Sequence, residues 1–237
     1  MKFFLFHIRS YISIFCITFI YFTQINAQDS PVINYLKQAS DFAEIYNGRI
    51  EPVYHSLIYE NFPYYNNSDF TDATIIFRDN YYPNQKVRLD LYKEQLIILP
   101  QEKRHGIILS SQNVNKVLIY NRTFVVLNPQ KDYGIKKGYY IQLFEGKKIQ
   151  LYRKEYFSIR QKQNYESFDL NINHYLFFND RYYSVKNKGS LSKIFPQYKK
   201  QINQYVKNNK LKFGKNAESG LSSLAAYCEE LINSSNK

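Results

Sequence analysis

GYYIQLFEGKKIQLYRK, residues 138–154, decides how the rest of the chain is read. Tyr139, Ile141 and Leu143 fall on one side of an extended chain, and Tyr140, Gln142 and Phe144 on the other, the period of two that a strand imposes. Ile149 and Leu151 alternate with Gln150 and Tyr152 in the same way. Between the halves, Glu145-Gly146 supplies a turn, because glycine enters the left-handed conformation without steric cost. The stretch predicts two antiparallel strands joined by a short loop. Parallel strands would need a long crossover, for which these residues leave no room.

The same signature recurs on both sides. Val87, Leu89 and Leu91 alternate with Arg88, Asp90 and Tyr92. Turn-forming pairs stand between β-branched or aromatic runs at Asp79-Asn80, Lys93-Glu94, Asn121-Arg122 and Asn179-Asp180, the last inside a second clear hairpin, His174–Lys186. Residues 74–187 therefore read as an antiparallel β meander. So many strands twist, and an open edge invites aggregation, so the expected form is a curved sheet or partly open barrel. Residues 28–73 read as an N-terminal arm and loop, with a short helix or extended piece over Val32–Ile45 and a turn at Tyr46-Asn47-Gly48.

After Gly189 the period changes from two to that of a helix. Ser190 is the expected cap of a short helix running to Phe195 and redirected at Pro196. Tyr198, Ile202, Tyr205 and Val206 form the stripe of a second helix, and Leu221, Leu224, Ala225, Cys228, Leu231 and Ile232 that of a third. Residues 188–237 thus read as a helical tail, and the fold class as α+β, mainly β: a meander followed by C-terminal helices.

Residues 1–27 read as an export signal. Lys2 and Arg9 give a positive start, Tyr11–Phe22 is an apolar run too short for the ~20 residues that span a bilayer, and Ile25-Asn26-Ala27 offers a cleavage site. Cleavage near Ala27 leaves one exported domain, 28–237, in the periplasm or at the cell surface, and no integral membrane protein. It also removes Cys16, so Cys228 has no partner for an internal disulfide. Two of the 32 basic residues leave with the signal, so 30 remain against 20 acids.

That positive balance is local. Arg181 to Ala217 holds ten basic residues and no acid. Lys199, Lys200, Lys207, Lys210, Lys212 and Lys215 lie mostly off the apolar stripes. They read first as a solvated helical face and second as a surface for an anionic envelope component. Nucleic acid is not the expected partner, because export and a single arginine argue against it.

Enzyme motifs are missing: the sequence has no H-E-x-x-H, no G-x-S-x-G, no phosphate loop and no dinucleotide fingerprint. His55, His105 and His174 are scattered, with His105 in a charged turn and His174 at the start of a strand, read as a surface or capping residue. Cys228 reads as a buried small hydrophobe. Neither a cofactor nor a metal is expected. Aromatic doublets such as Tyr81-Tyr82, Tyr139-Tyr140 and Tyr182-Tyr183 place one ring in the core and one outside, where outer rings brace neighbouring strands or stack on a ligand. Tyr82, Tyr140, Tyr152 and Tyr182 are the candidates for such an aromatic surface.

The site Asn26-Ala27-Gln28, the turn Tyr46-Asn47-Gly48, the strand KVRLDLYKEQLIIL (Lys86–Leu99), the Gly138–Lys154 hairpin and KGSLSKIFPQYKKQINQYVKNNKLKF (Lys188–Phe213) together resemble uncharacterised exported β-rich proteins of Bacteroidetes. The resemblance implies a β-rich envelope protein with a helical tail and brings no catalytic residues. The expected function is a non-catalytic module that binds a protein or envelope component; the alternative is an envelope hydrolase or other enzyme.

Overall fold

The computed structural model describes residues 31–39, 43–101, 104–129, 134–214 and 217–235. The expected export signal and its cleavage site lie outside these residues, as does Lys215. Helix α1 (Pro31–Ala39) belongs, up to Gln38, to a unit of its own. The remainder is built on one sheet.

Eleven strands make that sheet: β1 (Arg49–Ile50), β2 (Thr71–Phe77), β3 (Asn80–Asp90), β4 (Gln95–Leu99), β5 (Ile107–Ile108), β6 (Val114–Ile119), β7 (Arg122–Leu127), β8 (Gly138–Glu145), β9 (Gln150–Gln161), β10 (Glu166–Phe178) and β11 (Arg181–Ser184). Their order is β1-β5-β4-β3-β2-β6-β7-β8-β9-β10-β11, and every neighbouring pair is antiparallel. The expected meander is present with one break, because the chain returns from β5 to lay β6 beside β2. Three hairpins close with two residues of positive φ: Arg78-Asp79 (48°, 61°), Tyr120-Asn121 (47°, 60°) and Asn179-Asp180 (48°, 57°). Such turns match the twist of the strands they join. The first two sit one residue earlier than the sequence suggested.

The sheet curls without closing. Four strands separate β3 from β9, yet the Phe157 N–H reaches Leu91 O just past the end of β3 (3.5 Å), and the Tyr139 N–H donates to Glu94 Oε2 in the β3–β4 turn (2.8 Å). The inner face carries the main core, including Ile75, Val87, Leu89, Leu96, Ile98, Val117, Phe124, Tyr139 and Ile141, all buried. A bulge between Gln142 and Phe144 interrupts the alternation of β8. Leu143 and Phe144 therefore both pack toward the helices, where strict alternation had placed them on opposite faces.

Helices α2 (Lys188–Ile194), α3 (Lys199–Asn208) and α4 (Ala217–Ser235) cover the end of the sheet formed by β8–β11. The cap of α2 is Asn187 rather than Ser190: its Oδ1 accepts the N–H groups of Gly189 and Ser190. Asparagine is as good a cap as serine and stands where the chain leaves the extended conformation. Leu221, Leu224, Ala225 and Cys228 bury one face of α4 against Leu151, Leu176 and Phe195, each leucine contributing about 2 kcal/mol. Tyr205 of α3 stacks on Tyr227 of α4 at 4.0 Å. Among the described residues, no helix is long and apolar enough to cross a membrane.

Candidate functional site

Leu151, Arg153 and Glu155 occupy successive inward positions of β9, and β10 sets Leu176, His174 and Ile172 opposite them. Two charges and an imidazole thus stand where the pattern continues a hydrophobic core. Helix α4 brings Glu218, in its first turn, onto the same face, and Arg122 begins β7. The charges form a chain. Arg122 Nη1 donates to Glu218 Oε2 at 2.8 Å, Arg153 Nη1 donates to Glu218 Oε1, and Arg153 Nη2 lies 2.5 Å from Glu155 Oε1. The Arg153, Glu155 and Glu218 side chains are only 20%, 8% and 20% exposed, so pairing is what makes their burial tolerable.

Two polar atoms at this cluster have no partner among the described residues: Arg153 Nε and His174 Nε2, both buried. They sit on directly opposed residues of adjacent strands. Both residues line a cavity of about 500 Å³ whose walls include Ile172, Ser184, Lys186 and Glu218. A second cavity of about 320 Å³ lies on the Arg122 side of Glu218. Burial lowers the His174 pKa from its ordinary value, with the Arg153 charge adding to the effect, so the ring is neutral at pH 7. Burial raises the Glu155 pKa against the pull of Arg153. A neutral imidazole holds one donor and one acceptor nitrogen, and Arg Nε only donates. An acceptor oxygen brought to Nε, from a carboxylate, phosphate, carbonyl or water, would satisfy the guanidinium.

Tyr139 Oη, in the main core, is likewise buried without a partner among the described residues, whereas the buried carboxylates Glu51 and Asp90 are engaged. Arg88 grips Glu51 through Nε (3.1 Å) and Nη2 (2.5 Å) and lies 4.4 Å from the ring centres of both Tyr64 and Phe70. Tyr64 donates to Glu51, and Tyr54 donates to Asp90, whose other oxygen accepts the N–H groups of Tyr92 and Lys93. These networks fasten residues 51–70 to the outer face of β3 and β4. Among the described residues, no group of three or more His, Cys, Asp or Glu side chains could hold a metal.

The residues singled out from sequence fall elsewhere. Lys199, Lys200 and Lys207 are exposed on α3, and Lys210 and Lys212 are exposed beyond it. Tyr82, Tyr140 and Tyr152 are buried, and Tyr182 is half-buried. Tyr140 meets Tyr152 and Tyr175 edge-on and Tyr152 meets Tyr182, so these rings brace one another, whereas Tyr82 packs edge-on against Phe77. Cys228 is buried in the helical core, which pushes its thiol up to about 12. His55 and His105 are exposed. His174 differs from its reading: it lies well inside the long strand β10 and lines the cavity rather than capping a strand.

Sequence reasoning passed over Arg122, Arg153, Glu155 and Glu218. Their signal was present, since Arg153 and Glu155 break the apolar run at inward positions that Leu151 defines. Only the β9–β10 register, however, sets His174 against them. Comparison with known protein families, with curated proteins and with solved structures finds no match for this chain.

Proposed function

We propose that this protein is a non-catalytic binding module of the cell envelope, exported by residues 1–27, and that the cavity between α4 and β9–β10 receives an anionic group of its ligand. One observation carries this reading: Arg153 and His174, whose Nε and Nε2 are buried without partners among the described residues, both line one cavity. Buried polar atoms are nearly always satisfied, so two opposed orphans at a cavity point to a bound polar group. Lys186 and the N-terminal end of α4 line the same space and favour negative charge. Glu218 does not cancel this, because Arg122 and Arg153 already hold its carboxylate. The test is calorimetric titration with N-acetylaspartate and glycerol 3-phosphate, against the neutral N-acetylasparagine amide. Binding of an anion that weakens on Lys186→Gln and on His174→Leu supports the reading; equal heats for all three probes remove it.

One feature favours the alternative of an envelope enzyme. Glu155 and His174 stand on the same face with pKa values displaced toward each other, as in an acid–base pair. The Glu155 carboxylate is held by Arg153, however, and His174 Nε2 has no partner among the described residues. Turnover of any envelope ester, amide or glycoside that is lost in Glu155→Gln would establish the enzyme instead.

A further inference from the structure

The outward edge of β10 is closed at both ends and open in the middle. Antiparallel pairing with β9 uses the N–H and C=O of alternate residues, which leaves those of Glu166, Phe168, Leu170, Ile172 and His174 facing away from β9. At one end the chain supplies partners of its own. The Glu166 N–H donates to Ile58 O (2.8 Å), and Glu166 O accepts the Glu60 N–H (2.9 Å). The Asn61 side chain then imitates a neighbouring strand, accepting the Phe168 N–H (2.7 Å) and donating to Phe168 O (2.8 Å). At the other end, His174 O accepts the Val185 N–H at the start of the β11 pairing (2.9 Å). Between these blocks, the outward N–H and C=O groups of Leu170 and Ile172 have no partner among the described residues.

An open edge is ordinarily blunted by lysine, proline or a bulge. This one carries apolar side chains instead. Leu170 and Ile172 are 48% and 44% exposed, and Ile159 shares their face. From Phe168 to His174 the gap spans about 20 Å, the length of a strand of five or six residues. Ile172 also lines the cavity that holds Arg153, His174 and Lys186, so the edge leads directly into it.

We infer that this edge takes an extended polypeptide segment of a partner protein as an added strand, with a carboxylate of that segment entering the cavity. The inference rests on the binding reading above and names its ligand class. The backbone groups of Leu170 and Ile172 complement an extended main chain, and their exposed side chains complement apolar residues at alternate positions. The Lys186 ammonium on the cavity lining complements the carboxylate, and the adjoining apolar edge selects a peptide over a small free anion.

A display library of random octapeptides with free C-termini, selected on the full-length mature chain, tests this. Enriched peptides should slow hydrogen exchange at the Leu170 and Ile172 amides. Their binding should fall about tenfold or more on Ile172→Pro, which removes an outward N–H and leaves the β9 ladder intact, the loss of one or more hydrogen bonds. Leu170→Lys, which leaves the backbone untouched, should weaken them as well. Unchanged binding to both variants, absence of any enriched sequence, or pairing of β10 with β10 in a dimer overturns the inference. Peptides that lose affinity in Arg153→Lys yet bind both edge variants normally leave the cavity reading standing and remove only the edge.

Discussion

Glu229, late in α4, accepts the Ile149 N–H at 2.8 Å, and the same carboxylate takes the N–H groups of Lys147 (2.9 Å) and Lys148 (3.0 Å). One side chain thereby satisfies three backbone donors of the β8–β9 turn and pins the last helix to the hairpin. Gly146 belongs to the same device: a Cβ there would lie 2.8 Å from the Glu229 carboxyl carbon.

Glu229→Ala should therefore destabilise the fold by about 3 kcal/mol, since it orphans buried donors as well as removing hydrogen bonds. Glu229→Gln, which keeps an acceptor, should cost less. Urea unfolding of the two variants checks the order; a neutral Glu229→Ala would show that the turn is satisfied in another way.

Buried Lys154 and half-buried Glu94 form a pair at 2.6 Å that joins β9 to the β3–β4 turn across the curled sheet. Lys154 also donates to Tyr139 O (3.0 Å), and Gly138 leaves the space they occupy, because a Cβ there would come within 2.3 Å of Glu94 Oε2. Lys154→Met alone should cost about 3–5 kcal/mol by stranding the carboxylate. Adding Glu94→Gln should recover part of that loss, which a double-mutant cycle would measure.

His174 gives stability a defined dependence on pH. Arg153 faces it from β9, Glu218 from α4 and Lys186 from the segment after β11. Its folded pKa is depressed by burial from the ordinary 6.5, so the unfolded chain binds the extra proton first as pH falls. The contribution is fully present above pH 6.5 and is lost as pH drops toward the folded pKa. Asp90, Glu94 and Glu155 act in the opposite sense, since burial raises their pKa values and their folded forms hold protons longer. The comparison with His174→Gln isolates the histidine: the stability difference between the two proteins should shift against the wild type as pH falls from 7 to 5. A constant difference would mean that the imidazole is not buried as described.

Cys228 should resist iodoacetamide at pH 8 in the folded protein, because a thiol pushed up to about 12 is almost wholly protonated and its helix face is covered. Its modification, followed by mass, should track the fraction unfolded in urea. Rapid labelling without denaturant would place it at the surface.

Much of the sheet was legible because the period of two repeats wherever one face is buried. The Asn179-Asp180 turn and the helical stripes of α3 and α4 were readable from a few residues each. The candidate site was harder. Arg153, Glu155 and His174 acquire meaning only from the pairing of β9 with β10, a non-local register that local patterns do not encode. The tyrosine doublets gave the bracing of neighbouring strands but not the cover over their outer rings. Tyr139 and Tyr140 are both about 1% exposed because β8 is covered on both faces, inside by the core and outside by Tyr152, Tyr175 and Tyr182. The open edge at Leu170 and Ile172 was equally hidden, since it depends on where Asn61 and Val185 stop.

The most direct test of the cavity is the nuclear magnetic resonance signal of the Arg153 Nε–H group, followed as N-acetylaspartate is added. The expected result is a downfield shift and slower solvent exchange of that one proton, saturating together with the calorimetric binding curve. A signal that stays fixed while the anion binds would put the ligand elsewhere and contradict the assignment of this site.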